Sequence, residues 1–198
     1  MNNRFALVPA LALATASLGA CGPAGQSQRP PLEGARIGGP FALTDQDGRT
    51  VTDKSFAGQY RLMYFGYTFC PDVCPVDMQN VGAGLKLLEK SDPALAARVV
   101  PVFVTVDPAR DTPAVLKQFV SAFHPRMVGL TGSQAAIDRL VKAYGNYAKK
   151  GKVSPGGGYM MEHINAVYMM DPAGKPLALV PADKDPQAVA DEVRKWAR

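Results

Sequence analysis

The chain has 198 residues, 47% of them hydrophobic and 20% charged, and its formal net charge at pH 7 is +5. Such a composition is typical of one globular domain. The excess of positive charge is modest for this length, and the sequence has no motif of an RNA- or DNA-binding module. We therefore exclude nucleic acid as a partner and look to local motifs for the function.

The first segment of the chain is typical of an export signal. One positive charge, at Arg4, precedes an apolar stretch over residues 5–18 that is too short to span a membrane. Leu-Gly-Ala-Cys follows at residues 18–21 and resembles the bacterial lipobox, at which cleavage leaves the cysteine as a lipid-carrying first residue. We predict a lipoprotein signal peptide over residues 1–20 and a lipid on Cys21, outside the cytoplasm. An ordinary signal peptide with an incidental cysteine is the alternative.

A linker and one domain are predicted after this signal. Residues 22–34 are rich in Gly, Pro, Ser and Gln, so we expect residues 21–36 to form the lipid anchor and a flexible linker. The domain is then expected over residues 37–198. It begins with a small hairpin over residues 41–52, whose turn contains Gly48.

Strands and helices are predicted to alternate in the rest of the domain. Apolar runs predict strands over residues 62–65, 99–106, 128–130, 166–170 and 177–180, and apolar residues at helical spacing predict helices over residues 75–90, 113–123, 133–144 and 185–196. This alternation, which closes with a hairpin and a helix, predicts an α/β domain with a mixed central sheet flanked by helices.

Two cysteines, Cys70 and Cys74, follow the first buried strand, and each of them precedes a proline. Because a residue before proline avoids helical backbone angles, we place both in a turn. Pro75 suits the first position of a helix with Cys74 at its cap, where the helix field and free N–H groups favour thiolate. Such a pair suits disulfide exchange or a soft metal ion, and the spacing leaves both open, beside a static structural role. Thiols at a strand–helix junction point to a thioredoxin-like fold.

Three stretches of the sequence together resemble the Sco/SenC family. They are residues 64–75 with the two cysteines, residues 106–113, and His163 with residues 168–172. The resemblance covers residues 37–198, and it implies a thioredoxin-like copper chaperone that helps to assemble the dinuclear copper centre of cytochrome c oxidase.

The family's copper ligands carry over to this chain residue by residue. In that family two cysteines and this histidine bind one copper ion, so the resemblance implies that Cys70, Cys74 and His163 hold Cu(I) or Cu(II), one per chain. The chain departs from the family at Glu162-His163-Ile164, where Asp-His-Ser is frequent. His163 follows a polar, glycine-rich stretch over residues 146–158, which we expect to be a mobile loop that lets the imidazole approach and withdraw.

Other side chains are candidates as ligands or as supports of the site. We expect His124 to end a helix, where a partly positive imidazole suits the helix dipole, rather than to bind metal. The thioethers of Met160 and Met161 are minor candidates as transient ligands, since methionine more often fills a core. Asp107, Arg110 and Asp111 are expected to lock a loop near the site through caps and ion pairs.

Two functions from different classes follow from these residues together with what the resemblance implies. The first is a metallochaperone rather than an enzyme: lipid-anchored at the extracytoplasmic face of a bacterial membrane, inner rather than outer, with the copper-bearing subunit of cytochrome c oxidase or another copper chaperone as partner. The second is a thiol–disulfide oxidoreductase that acts on cysteines of an extracytoplasmic partner through a redox-active pair, Cys70 and Cys74. A peroxidase of the same fold is disfavoured, because Tyr67 stands where such enzymes usually carry threonine.

Overall fold

The computed structural model describes residues 28–197. The strands are β1 (Ala42–Asp45), β2 (Thr50–Thr52), β3 (Tyr60–Gly66), β4 (Val99–Thr105), β5 (Val128–Thr131), β6 (Ala148–Lys150), β7 (Met161–His163), β8 (Val167–Met170) and β9 (Pro176–Val180). The helices are α1 (Val73–Ser91), α2 (Pro93–Ala97), α3 (Pro113–Ser121), α4 (Gln134–Ala143) and α5 (Pro186–Trp196), and a short 3-10 helix spans Asp53–Phe56.

One mixed sheet of seven strands organises this part of the chain, in the order β2-β1-β5-β4-β3-β8-β9. β3, β4 and β5 are parallel, and the strands on either side of them are antiparallel. Every residue of β3 and β4 is buried, since helices cover both faces of the sheet centre. The predicted α/β architecture with an N-terminal hairpin is confirmed.

The helices pack closely where glycine allows it. An added Cβ at Gly84 of α1 would lie 2.8 Å from the Pro186 carbonyl oxygen of α5, so the two helices meet at that glycine. On the opposite face of β3, the Phe65 ring lies 5.0 Å from the ring of Tyr144, just after α4. β3 is therefore enclosed along its length, and its carboxyl end opens onto the cysteine turn.

Part of the segment before β1 lies against the rest of the fold. Leu32 packs on the core, and its backbone N–H donates to the Leu177 carbonyl oxygen at 2.9 Å. A composition rich in small and polar residues predicted flexibility, but one apolar side chain and one strand edge are enough to hold this segment. The boundary between linker and domain at residue 37 stays a prediction, beside this contact of Leu32 with the core.

The stretch predicted as a mobile loop also contains regular structure. β6 and β7 pair as a two-stranded antiparallel sheet, in which Ala148 lies opposite His163. The prediction of a loop over residues 146–158 is wrong for Ala148–Lys150, because the strand is short and its partner lies too far along the chain to be visible as a pattern.

The predicted signal peptide and Cys21 lie outside the described residues. Within residues 28–197, no helix combines the length and the apolar character that crossing a membrane requires.

Candidate metal centre

The two thiols lie at the junction of β3 and α1, with different exposure. Cys70 is partly buried in the turn, and its N–H donates to the Tyr67 carbonyl oxygen at 3.2 Å. Cys74 is completely buried. It is the second residue of α1 rather than its cap, because the helix begins at Val73 with Asp72 at the cap. Pro75 is tolerated in the first turn, where its missing N–H would have no helical partner.

The imidazole of His163 faces these sulfurs. Its Nε2 lies 3.5 Å from Cys74 Sγ, and the three potential ligand atoms of Cys70, Cys74 and His163 all lie within 4.8 Å of one another. Among residues 28–197 this is the one group of three or more His, Cys, Asp or Glu side chains with such geometry. The fold therefore brings together residues that lie 89 positions apart in the sequence.

Neighbouring groups orient the histidine ring. Its Nδ1 lies 3.4 Å from the Ile164 carbonyl oxygen, and a proton on Nδ1 would leave the Nε2 lone pair directed at the thiols. The rings of Tyr64 and Tyr67 meet it edge-on, at 6.4 and 5.8 Å between centroids. Ile164 takes part in this orientation through its backbone oxygen and not through its side chain.

His163 is carried by a β-strand and not by a free loop. It ends β7, and the hairpin closes above it through the Gly151 N–H, which donates to the Met160 carbonyl oxygen at 2.8 Å. An added Cβ at Gly151 would lie only 2.9 Å from that oxygen. The histidine thus moves only as far as the hairpin moves.

A clamp built on Arg110 joins this hairpin to the loop after β4. The Arg110 guanidinium pairs with Asp107, donates to the Tyr159 carbonyl oxygen at 3.0 Å and lies 3.6 Å from the centroid of the Tyr159 ring. The Tyr159 hydroxyl in turn donates to Asp107 at 2.9 Å. The predicted role of Asp107 and Arg110 in locking a loop is confirmed. No feature of the sequence predicted that Tyr159 also takes part in this clamp.

Asp111 connects the cysteine turn to the end of β4 through hydrogen bonds. Its carboxylate is fully buried and accepts hydrogen bonds from the Thr68 N–H at 3.0 Å, the Thr68 hydroxyl at 2.6 Å and the Thr105 hydroxyl at 2.6 Å. Burial raises the pKa of Asp111, and these donors oppose that effect. The arrangement fixes Thr68, two residues before Cys70, against the end of β4.

The electrostatics of Cys74 differ from the sequence prediction. Burial raises the pKa of Cys74 to about 12, so the free protein holds a thiol there and not the thiolate that the helix field was expected to favour. Desolvation outweighs the helix field because the sulfur is sealed from water. Burial also lowers the pKa of His163, which keeps the imidazole neutral and able to bind a metal.

Tyr64 and Asp77 form a buried polar neighbourhood beside Cys74 that the sequence analysis missed. Tyr64 is fully buried and Asp77 is 6% exposed. Burial raises the pKa of both groups, and Cys74 and Asp77 also raise that of Tyr64. The available signal was a carboxylate on the inward face of an otherwise apolar helix, three residues after Cys74.

His124 does not belong to the metal cluster, whereas the minor role of Met160 and Met161 as transient ligands stays a prediction. His124 is buried elsewhere: its Nε2 lies 3.4 Å from Glu89, and its Nδ1 accepts from the Arg126 backbone N–H at 3.2 Å. Burial lowers its pKa, so it is neutral rather than partly positive as expected. Met160 is half exposed, and the Tyr67 hydroxyl donates to its sulfur at 3.7 Å.

Exposed apolar side chains accompany the ligands in the sequence. Phe69 and Val73 each precede a cysteine, and Ile164 follows His163. Phe69 is 53% exposed, and all three are exposed although they are large and hydrophobic. We call these three side chains the apolar rim; exposed apolar groups mark an interaction surface where they form one contiguous patch.

Taken together, the fold and the site define a thioredoxin-like protein whose strand–helix junction carries two thiols and one imidazole close enough together to hold a metal ion. The fold matches the thioredoxin domain of a thiol-disulfide oxidoreductase from Bacteroides vulgatus with a TM-score of 0.55 at 14% identity, over 80% of this chain and 94% of that one. The SCO1/SenC family model matches residues 29–198, and the chain belongs to the SCO1/SenC family.

Relatives within the family are similar over most of this chain. Protein SenC of Rhodobacter capsulatus is 42% identical over 160 residues, which cover 80% of this chain and 70% of that protein. The structure of Bradyrhizobium japonicum ScoI with copper bound is 40% identical with a TM-score of 0.73, over 81% of this chain and 99% of that one. The match covers only 52% of the SCO1 and SCO2 proteins of Saccharomyces cerevisiae.

Proposed function

We propose that this protein binds one copper ion through Cys70, Cys74 and His163 and acts as a copper chaperone for the dinuclear copper centre of cytochrome c oxidase. The observation that carries the proposal is the convergence of two thiols and one imidazole within 4.8 Å. A related structure of the same fold has copper bound, which supports copper as the metal.

The donor set suits copper in both oxidation states. Two sulfur ligands favour Cu(I), and an added imidazole also accommodates Cu(II). Because Cys74 holds its proton in the free protein, copper binding has to release that proton, and the copper affinity therefore rises with pH. The same coupling favours release of the metal when a partner's ligand replaces the sulfur and the proton returns.

The exposure of the two sulfurs sets a direction for transfer. Cys74 is sealed in the core while Cys70 is partly exposed, so an incoming ligand from a partner reaches copper from the Cys70 side. The apolar rim that includes Phe69 offers a docking surface on that side. We propose the copper-bearing oxidase subunit, or another copper chaperone, as the partner that docks there.

The direct test is copper binding by the reduced full-length protein. We expect one equivalent of Cu(I) per chain, loss of tight binding in Cys70→Ala and in Cys74→Ala, and a loss of at least about tenfold in Cu(II) affinity in His163→Ala. Competition titration with a chromophoric chelator measures each affinity. His124→Gln is the matched control and should bind as the wild type does. Unchanged Cu(I) and Cu(II) affinities in His163→Ala would show that His163 is not a ligand.

A thiol–disulfide oxidoreductase is the second candidate, and the pairing of a partly exposed Cys70 with a buried Cys74 favours it. In that reaction Cys70 Sγ attacks a partner disulfide, Cys74 Sγ then resolves the mixed disulfide, and two electrons and two protons pass to the partner. This exchange does not need the imidazole, so His163→Ala should keep the exchange rate while copper affinity falls. An equal loss of both in His163→Ala would exclude an independent exchange function.

We also propose that a lipid on Cys21 holds the protein at the extracytoplasmic face of the inner membrane, after removal of residues 1–20. The lipobox-like sequence at residues 18–21 supports this proposal. Cys21→Ser should move the protein from the membrane fraction to the soluble extracytoplasmic fraction, as judged by fractionation and immunoblotting. A Cys21→Ser protein that still sediments with membranes would contradict the anchor.

A further inference from the structure

A buried arginine lies at the far end of β3 from the cysteines. Arg61 is the second residue of this strand and only 4% exposed, although it stands in the middle of the mixed sheet. At about 3.3 Å per residue, roughly 16 Å of strand separates it from Gly66, where the strand ends before the cysteine turn. Arg61 therefore takes no part in the metal site.

The charge of Arg61 is not balanced by any ion pair within residues 28–197. Its Nε is buried without a hydrogen-bond partner, and its Nη1 makes one long contact, 3.5 Å, to the Asp53 carbonyl oxygen. The Phe56 ring lies 6.0 Å from the guanidinium carbon. A buried guanidinium with so few partners costs free energy, and a bound anion would offset that cost.

The arginine lines a cavity of about 330 Å³. Lys54 and Arg61 are its two basic residues and Asp53 its one acidic residue, and the Asp53 carboxylate accepts from the Phe41 N–H. Gly174 forms part of the wall next to Arg61 Nη2: its φ is +85°, and an added Cβ would lie 2.5 Å from that nitrogen. The turn thus requires glycine, because a side chain at this position would collide with the guanidinium.

We propose that this cavity binds a phosphate group through the Arg61 guanidinium, with Lys54 supplying a second positive charge. The planar fork of arginine matches two oxygens of a phosphate. Two cations against one carboxylate leave the cavity with a net positive charge, which favours an anion. This site is separate from the metal centre, so the phosphate proposal can be tested independently of the copper-binding function.

Two sources of phosphate fit the position of the cavity. Gly39 lines it and lies 18 residues after Cys21, so a phospholipid headgroup is within reach of an anchored chain; free inorganic phosphate is the other source. Both offer the same oxygens to Arg61.

The test is a titration of the full-length protein with inorganic phosphate at constant ionic strength, with sodium chloride as the reference salt. We expect phosphate to raise the melting temperature by mass action, beyond any effect of chloride. Arg61→Gln should weaken the apparent phosphate affinity at least about tenfold, and Lys54→Gln about threefold. Lys90→Gln, an exposed lysine on another face, should bind phosphate as the wild type does.

The two variants keep the proposal testable if Arg61→Gln does not fold. Lys54 is exposed, so its replacement should leave the fold and the copper affinity unchanged. No stabilisation by phosphate beyond chloride, or equal phosphate affinity in Lys54→Gln and wild type, would overturn the proposal. Vesicles of phosphatidylcholine with and without phosphatidic acid separate the two sources. If the acidic vesicles raise the melting temperature of the wild type more than the neutral vesicles do, and this difference is lost in Arg61→Gln, the ligand is the headgroup. If both kinds of vesicle have the same effect while inorganic phosphate stabilises the protein, the ligand is free phosphate.

Discussion

At the scale of single residues, burial decides the charge state of most groups near the site. Cys74, Asp77 and Asp111 all have pKa values raised by burial, and the pKa of His163 is lowered for the same reason. Each shift favours the neutral form. Cys74 and His163 are therefore neutral in the free protein, and the charge of a bound copper ion is what makes a thiolate at Cys74 favourable.

His124 gives a pH dependence that can be separated from the metal site. Burial lowers its pKa, so the unfolded chain binds a proton more readily than the folded protein does. The stability it contributes is complete above the unfolded pKa of about 6.5 and is lost as the pH falls below it. In a His163→Gln background, His124→Gln should make the free energy of unfolding fall less steeply below pH 6.5, by at most about 1.4 kcal/mol per pH unit.

Denaturant unfolding at a series of pH values between 5 and 7.5 measures this slope. Glu89 and Arg126 face the imidazole, and Glu89 has its own lowered pKa, which places its titration below this window. Identical slopes with and without His124 would show that its protonation is not linked to folding.

At the scale of elements, the hairpin of β6 and β7 is the part that decides whether the third ligand reaches the thiols. It is held by its own ladder, by the Arg110 clamp and by the Gly151 bond to Met160. It contributes nothing to the seven-stranded sheet. A change in the hairpin should therefore alter metal affinity with little effect on the stability of the domain.

Gly151→Ala tests this separation. The added Cβ would lie 2.9 Å from a backbone oxygen, so the hairpin has to shift and take His163 with it. We expect Cu(II) affinity to fall about tenfold, Cu(I) affinity to fall less, and the unfolding midpoint to change little. Gly156→Ala, in the same segment but with no atom within 4 Å of the added Cβ, is the matched control. Equal copper affinities in the two variants would show that hairpin geometry does not limit binding.

At the scale of the whole molecule, the domain includes the segment that leads to its predicted anchor. Leu32 packs on the core and pairs with Leu177 in β9, so tension or motion of that segment acts on the sheet edge. The cavity at Arg61 lies near the first residues of β3, whereas the proposed copper ligands lie beyond its last residue. The molecule thus places its metal chemistry and its proposed phosphate site at opposite ends of one central strand.

Truncation measures the contribution of that segment. A fragment that begins at Gln28 should be more stable than one that begins at Ile37, by about 1 to 2 kcal/mol, because the shorter fragment loses one backbone hydrogen bond and the packing of Leu32. Equilibrium unfolding in urea compares the two. Leu32→Ala in the longer fragment should give part of the loss, and equal stabilities of the two fragments would mean that the contact does not hold in solution.

The local elements followed directly from sequence patterns. The caps at Thr112, Ser133 and Asp185 each accept a backbone N–H three residues later, as residues of these types at helix starts predict. The buried strands β3 and β4 were visible as apolar runs. The two cysteines and their place between a strand and a helix were also visible, because all of these signals depend only on near neighbours in the chain.

What the tertiary structure alone decided is which distant groups meet and how water is excluded from them. The resemblance implied His163 as a ligand, but its distance of 3.5 Å from a sulfur 89 residues away depends on the pairing of β6 with β7. The thiol state of Cys74 was predicted wrongly, since burial is a property of the packed molecule and not of a helix start. The cavity at Arg61 likewise has no sequence signal, because its walls come from segments that only the sheet topology brings together.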